Sequence, residues 1–197
     1  MNRKNLTAAV LAGLAGAAGL AGTAQAVNLN PDGLGQVLIY PYYTTNGGNQ
    51  TVLSVVNTTD QAKAVKVRFL EGFNSREVLD FNLYMSAEDV WTAAVFDGGD
   101  VFPDVPEVDG VPHLITFDNS CTVPYLYENG PQAFLNIAYI DNGIPVFNFE
   151  DGGPTTIARA SEGHFEMIEM GTLVGDSAID ATHQLTPAVK DKDGTET

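Results

Sequence analysis

Lys63-Ala64-Val65-Lys66-Val67-Arg68-Phe69-Leu70-Glu71 decides the fold, because Val65, Val67 and Phe69 alternate with Lys66 and Arg68. A period of two with one apolar and one charged face is the signature of a half-buried strand. Glu77 to Tyr84 repeats it, with Leu79, Phe81 and Leu83 on one side and Asp80, Asn82 and Tyr84 on the other. Upstream, Gln50 to Asn57 (QTVLSVVN) is dense in β-branched residues, and Thr58-Thr59-Asp60-Gln61 turns the chain. Three strands joined by short turns predict a meander.

Working outward, Gln36 to Tyr43 is a further β-type run whose Pro41 predicts an edge strand or a bulge. Val90 to Phe96 reads as another strand anchored by the chain's single tryptophan, Trp91. From Asp97 to Pro112 the chain is rich in Pro and Asp and predicts an exposed loop. His113 to Asp118 and Gly163 to Met170 are further strands. Ala133 to Ile140 fits either a buried strand or a helix, and Asn142-Gly143 after it is a strong hairpin dipeptide. Short strands between turn signals, with little helical periodicity, predict a mostly β protein, an antiparallel β-sandwich with little helix. The Asn57-Thr58-Thr59 corner between an apolar strand and the Val-x-Val-x-Phe strand resembles the hairpin of immunoglobulin-like modules in exported bacterial surface and adhesion proteins. The resemblance spans residues 50 to 83 and implies an immunoglobulin-like architecture, with no functional residue attached.

The first 26 residues predict a cleaved secretory signal. Arg3 and Lys4 precede an uncharged Leu/Ala/Gly-rich run from Leu6 to Gly22, and Ala24-Gln25-Ala26 offers the small-residue cleavage pattern. No later stretch is long and apolar enough to span a bilayer as a helix. The expected organisation is a signal peptide over 1 to 26, a single domain over 27 to 185 and a tail over 186 to 197. The expected destination is the periplasm, the cell surface or the outside of a bacterial cell.

The chain carries 25 acidic and 9 basic residues, a net charge of -16. Losing Arg3 and Lys4 with the signal makes the mature chain more acidic still. Such a surface repels nucleic acid and anionic membrane. Lys63, Lys66, Arg68 and Arg76 cluster within fourteen residues. The cluster is open to two readings, a basic edge that steers head-to-tail association of copies and an ordinary solvated strand face.

Catalytic patterns fail on inspection. Gly175-Asp176-Ser177 and Asp180-Ala181-Thr182-His183 imitate pieces of an esterase triad but lie too close together to assemble one, and nothing upstream supplies an oxyanion hole. Glu162, Glu166 and Glu169 suggest paired carboxylates, yet on a strand Glu166 and Glu169 face opposite ways. The three histidines are isolated. Cys121, the only cysteine, has acidic rather than basic neighbours, so it reads as a link between chains, as half of a disulfide whose partner lies outside this sequence, or as a buried free thiol. Hard oxygen ligands for calcium are offered by Asp97, Asp100 and Asp104 in one loop and by Asp141 and Asp151 in another, without EF-hand spacing.

The leading functional expectation is a non-catalytic exported structural, adhesive or filament-type surface protein that works by association with itself or with other surface proteins. The extended stretch Val27 to Gly35 is a candidate donated strand. An alternative is a carbohydrate-binding module, calcium-assisted, that stacks sugars on Tyr40, Tyr42, Tyr43, Tyr125 and Tyr127. A second alternative is a secreted hydrolase without a recognisable motif.

Overall fold

The computed structural model describes residues 30–102, 104–141, 143 and 149–181. The predicted signal peptide, the tail from 186 and His183 lie outside the described residues. Contacts divide the chain after Gly35. Residues 30–35 hold a turn in which Asn30 Oδ1 accepts from the Asp32 amide and the Asn30 carbonyl from the Gly33 amide. The described part of the expected donor strand is therefore bent rather than extended, and 27–29 lie outside the described residues.

The second unit is a sandwich of nine strands among the described residues: β1 Val37–Thr44, β2 Thr51–Val56, β3 Lys63–Glu71, β4 Glu77–Met85, β5 Val90–Asp97, β6 Pro112–Ile115, β7 Cys121–Val123, β8 Gln132–Ala133 and β9 Glu162–Thr172. One sheet has the order β1-β9-β3-β4-β7 and the other β2-β5-β6-β8. Every pairing is antiparallel. Two antiparallel sheets packed face to face are the mostly β sandwich that the alternating patterns predict. β1 is both an edge strand and irregular, its register shifting between Tyr40 and Tyr43 around Pro41. Proline has no amide to give to a ladder, which explains both features.

Two expectations about connectivity are corrected. β3 and β4 form the predicted hairpin, but β2 pairs with β5 in the opposite sheet, so residues 58–61 carry the chain across the sandwich and there is no three-strand meander. Asn57 holds this crossover together. Its buried amide donates from Nδ2 to the carbonyls of Gln61 and Ser86 at 2.7 Å each, and its Oδ1 accepts from the Thr59 amide and hydroxyl. Ala133 to Ile140 is neither strand nor helix beyond Ala133; Phe134 and Tyr139 are buried while the backbone turns between them, the Tyr139 amide donating to the Asn136 carbonyl.

The core lies between the sheets. Val65, Val67, Phe69, Phe81 and Leu83 face Leu53, Val55, Trp91, Val95 and Leu114. Tyr40 stacks on Phe165 at 4.2 Å and Phe165 on Phe69 at 4.9 Å, an aromatic row across three strands. Trp91 is fully buried, and its Nε1 has no hydrogen-bond partner among the described residues.

At one end of β3, Glu71 is fully buried and organises the turn into β4, accepting from the amides of Phe73, Asn74 and Arg76. Arg159 meets it with Nε and Nη2, both at 2.9 Å, and grips Asp151 with Nη1 and Nη2. The Pro154 carbonyl takes the last guanidinium donor, and the Tyr139 ring lies beneath the cation at 4.3 Å. Burial pushes the Glu71 carboxyl up, but the hydrogen bonds from Arg159 and the turn amides outweigh it and hold it below its ordinary value. The hydrogen bonds from Arg159 hold Asp151 far below the carboxylate range.

Candidate association surface

Charge separates the two outer faces of the sandwich. On the outer side of the five-stranded sheet, Arg68 lies between Glu77 and Glu166 at 2.7 and 2.8 Å and Lys66 pairs with Asp80, while at the end of β3 Lys63, in step with Val65 and Val67, pairs with Glu169 at 2.8 Å. Arg76 reaches Asp151 at 3.5 Å, and Arg159 is held as described. Every lysine and arginine among the described residues is thus paired with a carboxylate. The cluster at Lys63, Lys66, Arg68 and Arg76 is consequently neutralised by carboxylates, so of the two readings open for it the steering basic edge has no free patch and the ordinary strand face fits.

The outer face of the four-stranded sheet is built differently. In β2, Leu53 and Val55 point into the core, so alternation turns Val52, Ser54 and Val56 outward. In β5, Trp91, Ala93 and Val95 are inside, leaving Val90, Thr92 and Ala94 outside. The register places Val52 beside Ala94, Ser54 beside Thr92 and Val56 beside Val90, and Ala94 meets Ile115 of β6. Val52 is 78% exposed, Val56 52% and Val90 46%, and Phe117, two residues past Ile115, is 83% exposed. None of these residues is charged, and acids lie only beyond the ends, at Glu88 and Asp89 before Val90 and Asp118 after Phe117. The far end of the same face is covered. Phe96 and His113 sit side by side on it, and Phe102, from the 98–110 loop, packs against both at 6.3 and 6.5 Å. That loop, expected to be only an exposed connection, is partly a lid on the sheet.

The residues singled out in the sequence do not converge. Asp97 Oδ1 accepts from the amides of Gly99 and Gly110, and Asp141 Oδ1 from the Gly143 amide, so both carboxylates close turns. Asp100 sits in the short helix Gly98–Val101, Asp104 is exposed nearby, and Asp151 is held by Arg159. Among the described residues no three His, Cys, Asp or Glu side chains gather as a metal site would need. Of the acids considered for catalysis, Glu166 and Glu169 are in the ion pairs above and Glu162 accepts from the Tyr42 hydroxyl. Tyr43 is wholly buried and Tyr40 is stacked in the core row. Tyr42 belongs to β1 while Tyr125 and Tyr127 follow β7, at opposite edges of one sheet. Four strand spacings separate those edges, roughly 19 Å, too far for a shared stacking platform.

Cys121 lies at the edge strand β7 in a cleft of about 230 Å³ with Tyr84, Leu173, Ser177 and Asp180. Burial, and then the charge of Asp180, pushes its thiol up, which leaves it protonated and a poor nucleophile. A second hollow, of about 280 Å³, is floored by Arg159, whose donors are all committed to Glu71, Asp151 and Pro154. Comparison of the chain with protein-family models, curated proteins and solved structures finds no match.

The bare face is what reading for motifs passed over. Its signal was legible: Thr51 to Val56 carries no charge on either side, whereas β3 and β4 each charge their outer side.

Proposed function

We propose that this chain is an exported, non-catalytic surface module that works by protein–protein association. The observation that carries the reading is the uncharged outer half-face around Val52, Val56, Val90 and Phe117 on a strongly acidic body. Water solvates carboxylates and ion-pair ladders well and a β-branched sheet face poorly, so such a face is stabilised by being covered. In the acidic mature chain it is also where another protein approaches without meeting like charge.

The test places charge on the face. Val56→Glu with Val90→Glu is expected to abolish concentration-dependent assembly measured by light scattering, while Ile39→Glu, on the outer side of the other sheet, leaves it intact. If the double variant assembles as well as the parent, or the parent shows no association, the reading is wrong.

A further inference from the structure

A sandwich built from two open sheets has four edge strands, and each edge presents backbone donors and acceptors to any passing strand. Here the edges are β1, β7, β2 and β8. Three of them are guarded: β1 by Pro41 and its register break, β7 by being three residues long and followed by Pro124, and β8 by being only two residues long. β2 carries none of these devices, and what reaches its outer side is the Tyr40 hydroxyl. It runs six residues in unbroken register with β5, without proline, charge or bulge.

The polarity of that edge follows from two hydrogen bonds. The Asn57 amide donates to the Asp89 carbonyl, so odd-numbered residues of this strand face β5 and even-numbered ones face away. The Ser54 carbonyl accordingly accepts from the Tyr40 hydroxyl, at 3.3 Å, on the outer side. The amides of Val52, Ser54 and Val56 all point outward and donate to no acceptor among the described residues.

We infer that β2 pairs antiparallel with β2 of a second copy of this chain about a two-fold axis at Ser54, joining the two four-stranded sheets into one. The inference rests on the association reading and names its partner and register. Ser54 then faces Ser54 of the other copy and Val52 faces Val56, so every outward amide and carbonyl of the three residues finds a partner, about six hydrogen bonds in all. The register is self-complementary because an uncharged valine lies two residues to either side of Ser54. Charge leaves this edge open to a second copy: two copies at -16 or below repel through their carboxylate-bearing surfaces, but neither brings a charge to this strand. The Ser54 carbonyl has a second lone pair, so the Tyr40 contact need not be given up.

Ser54→Pro removes an amide that the β5 ladder does not use, and proline is compatible with an edge strand whose amide faces outward. Self-association by light scattering is expected to weaken at least about tenfold, with the circular dichroism and Trp91 emission of the parent. A second measurement does not depend on that variant folding. In a Cys121→Ser background, Ser54→Cys is expected to be cross-linked into dimers by a short bismaleimide, since the paired Cα atoms would lie about 5.5 Å apart; Ile39→Cys is expected to assemble like the parent but give no cross-linked dimer. Assembly that survives Ser54→Pro, or a Ser54→Cys chain that assembles without cross-linking, overturns the β2 pairing and leaves the association reading standing. A strand of a different protein displacing the self-pair would have the same effect. A parent chain that is monomeric at every concentration overturns both.

Discussion

Arg159 shows what a single side chain can hold in place. Its cation joins the β3–β4 turn, through Glu71, to the segment around Asp151, and it stacks on Tyr139 between them. Removing one partner of such a pair strands a charge in the interior, so Arg159→Met is expected to cost about 3–5 kcal/mol in denaturant unfolding. The pH dependence follows from the direction of the two carboxyl shifts. Both are depressed in the folded state, so their stabilisation is complete above the unfolded carboxyl range near about 4 and drains away as pH falls through their lower folded values. The gap in stability between the parent and Arg159→Met is therefore expected to narrow from about pH 5 towards pH 2. A gap that stays constant over this range would show that the carboxylates are not what Arg159 holds. None of this is legible in the sequence: Glu71 reads as the end of a strand and nothing marks Arg159, because their pairing spans 88 positions of sequence.

At the scale of elements, alternation told which strands exist and which way their side chains face. β3 and β4 match their expected extents to within a residue, because each carries an apolar side and a charged side. Alternation does not say which sheet a strand joins, so the meander it suggests sets β2 beside β3, whereas the structure pairs it with β5. A strand of three residues, such as β7, is too short to show a period at all. The Ala133 to Ile140 run misled for a different reason: Phe134 and Tyr139 are apolar because the core needs them, while the backbone that delivers them is a turn. The crossover corner carries its own prediction. Asn57→Ala leaves the Ser86 carbonyl and the Thr59 amide without their partner and the Gln61 carbonyl with the Thr59 hydroxyl alone, and is expected to destabilise by about 2–3 kcal/mol. Asn57→Asp should cost more, since it turns a double donor into a charge facing two carbonyls. Both are checked by thermal or urea unfolding, and a change under about 0.5 kcal/mol would mean the loops close without the side chain.

For the whole molecule, the uneven distribution of charge sets how it should respond to salt. The described cations are all consumed by internal pairs, and the carboxylates left over give the body one sign. Copies that meet through an uncharged strand must overcome this repulsion, which added salt screens over about 10 Å at 0.1 M. Self-association is therefore expected to tighten as sodium chloride is raised from about 0.02 to 0.2 M, measured by sedimentation. Contacts made by opposite charges, as the basic cluster first suggested, would loosen instead. Half of this is open to a reader of the sequence: the net charge and the uncharged β2 are both visible there, but not the pairing that cancels every described cation or the loop that covers one end of the bare face.

The presence of just one unguarded edge among the described strands bears on stoichiometry. Two-fold pairing spends β2 in both copies, and the edges left at the rim of the joined sheet are the two-residue β8 strands. Edge-to-edge growth accordingly terminates at two and cannot propagate as a fibre. What the pair gains is a doubled uncharged floor, continuous across the axis, a surface on which dimers would stack as bricks of a larger array.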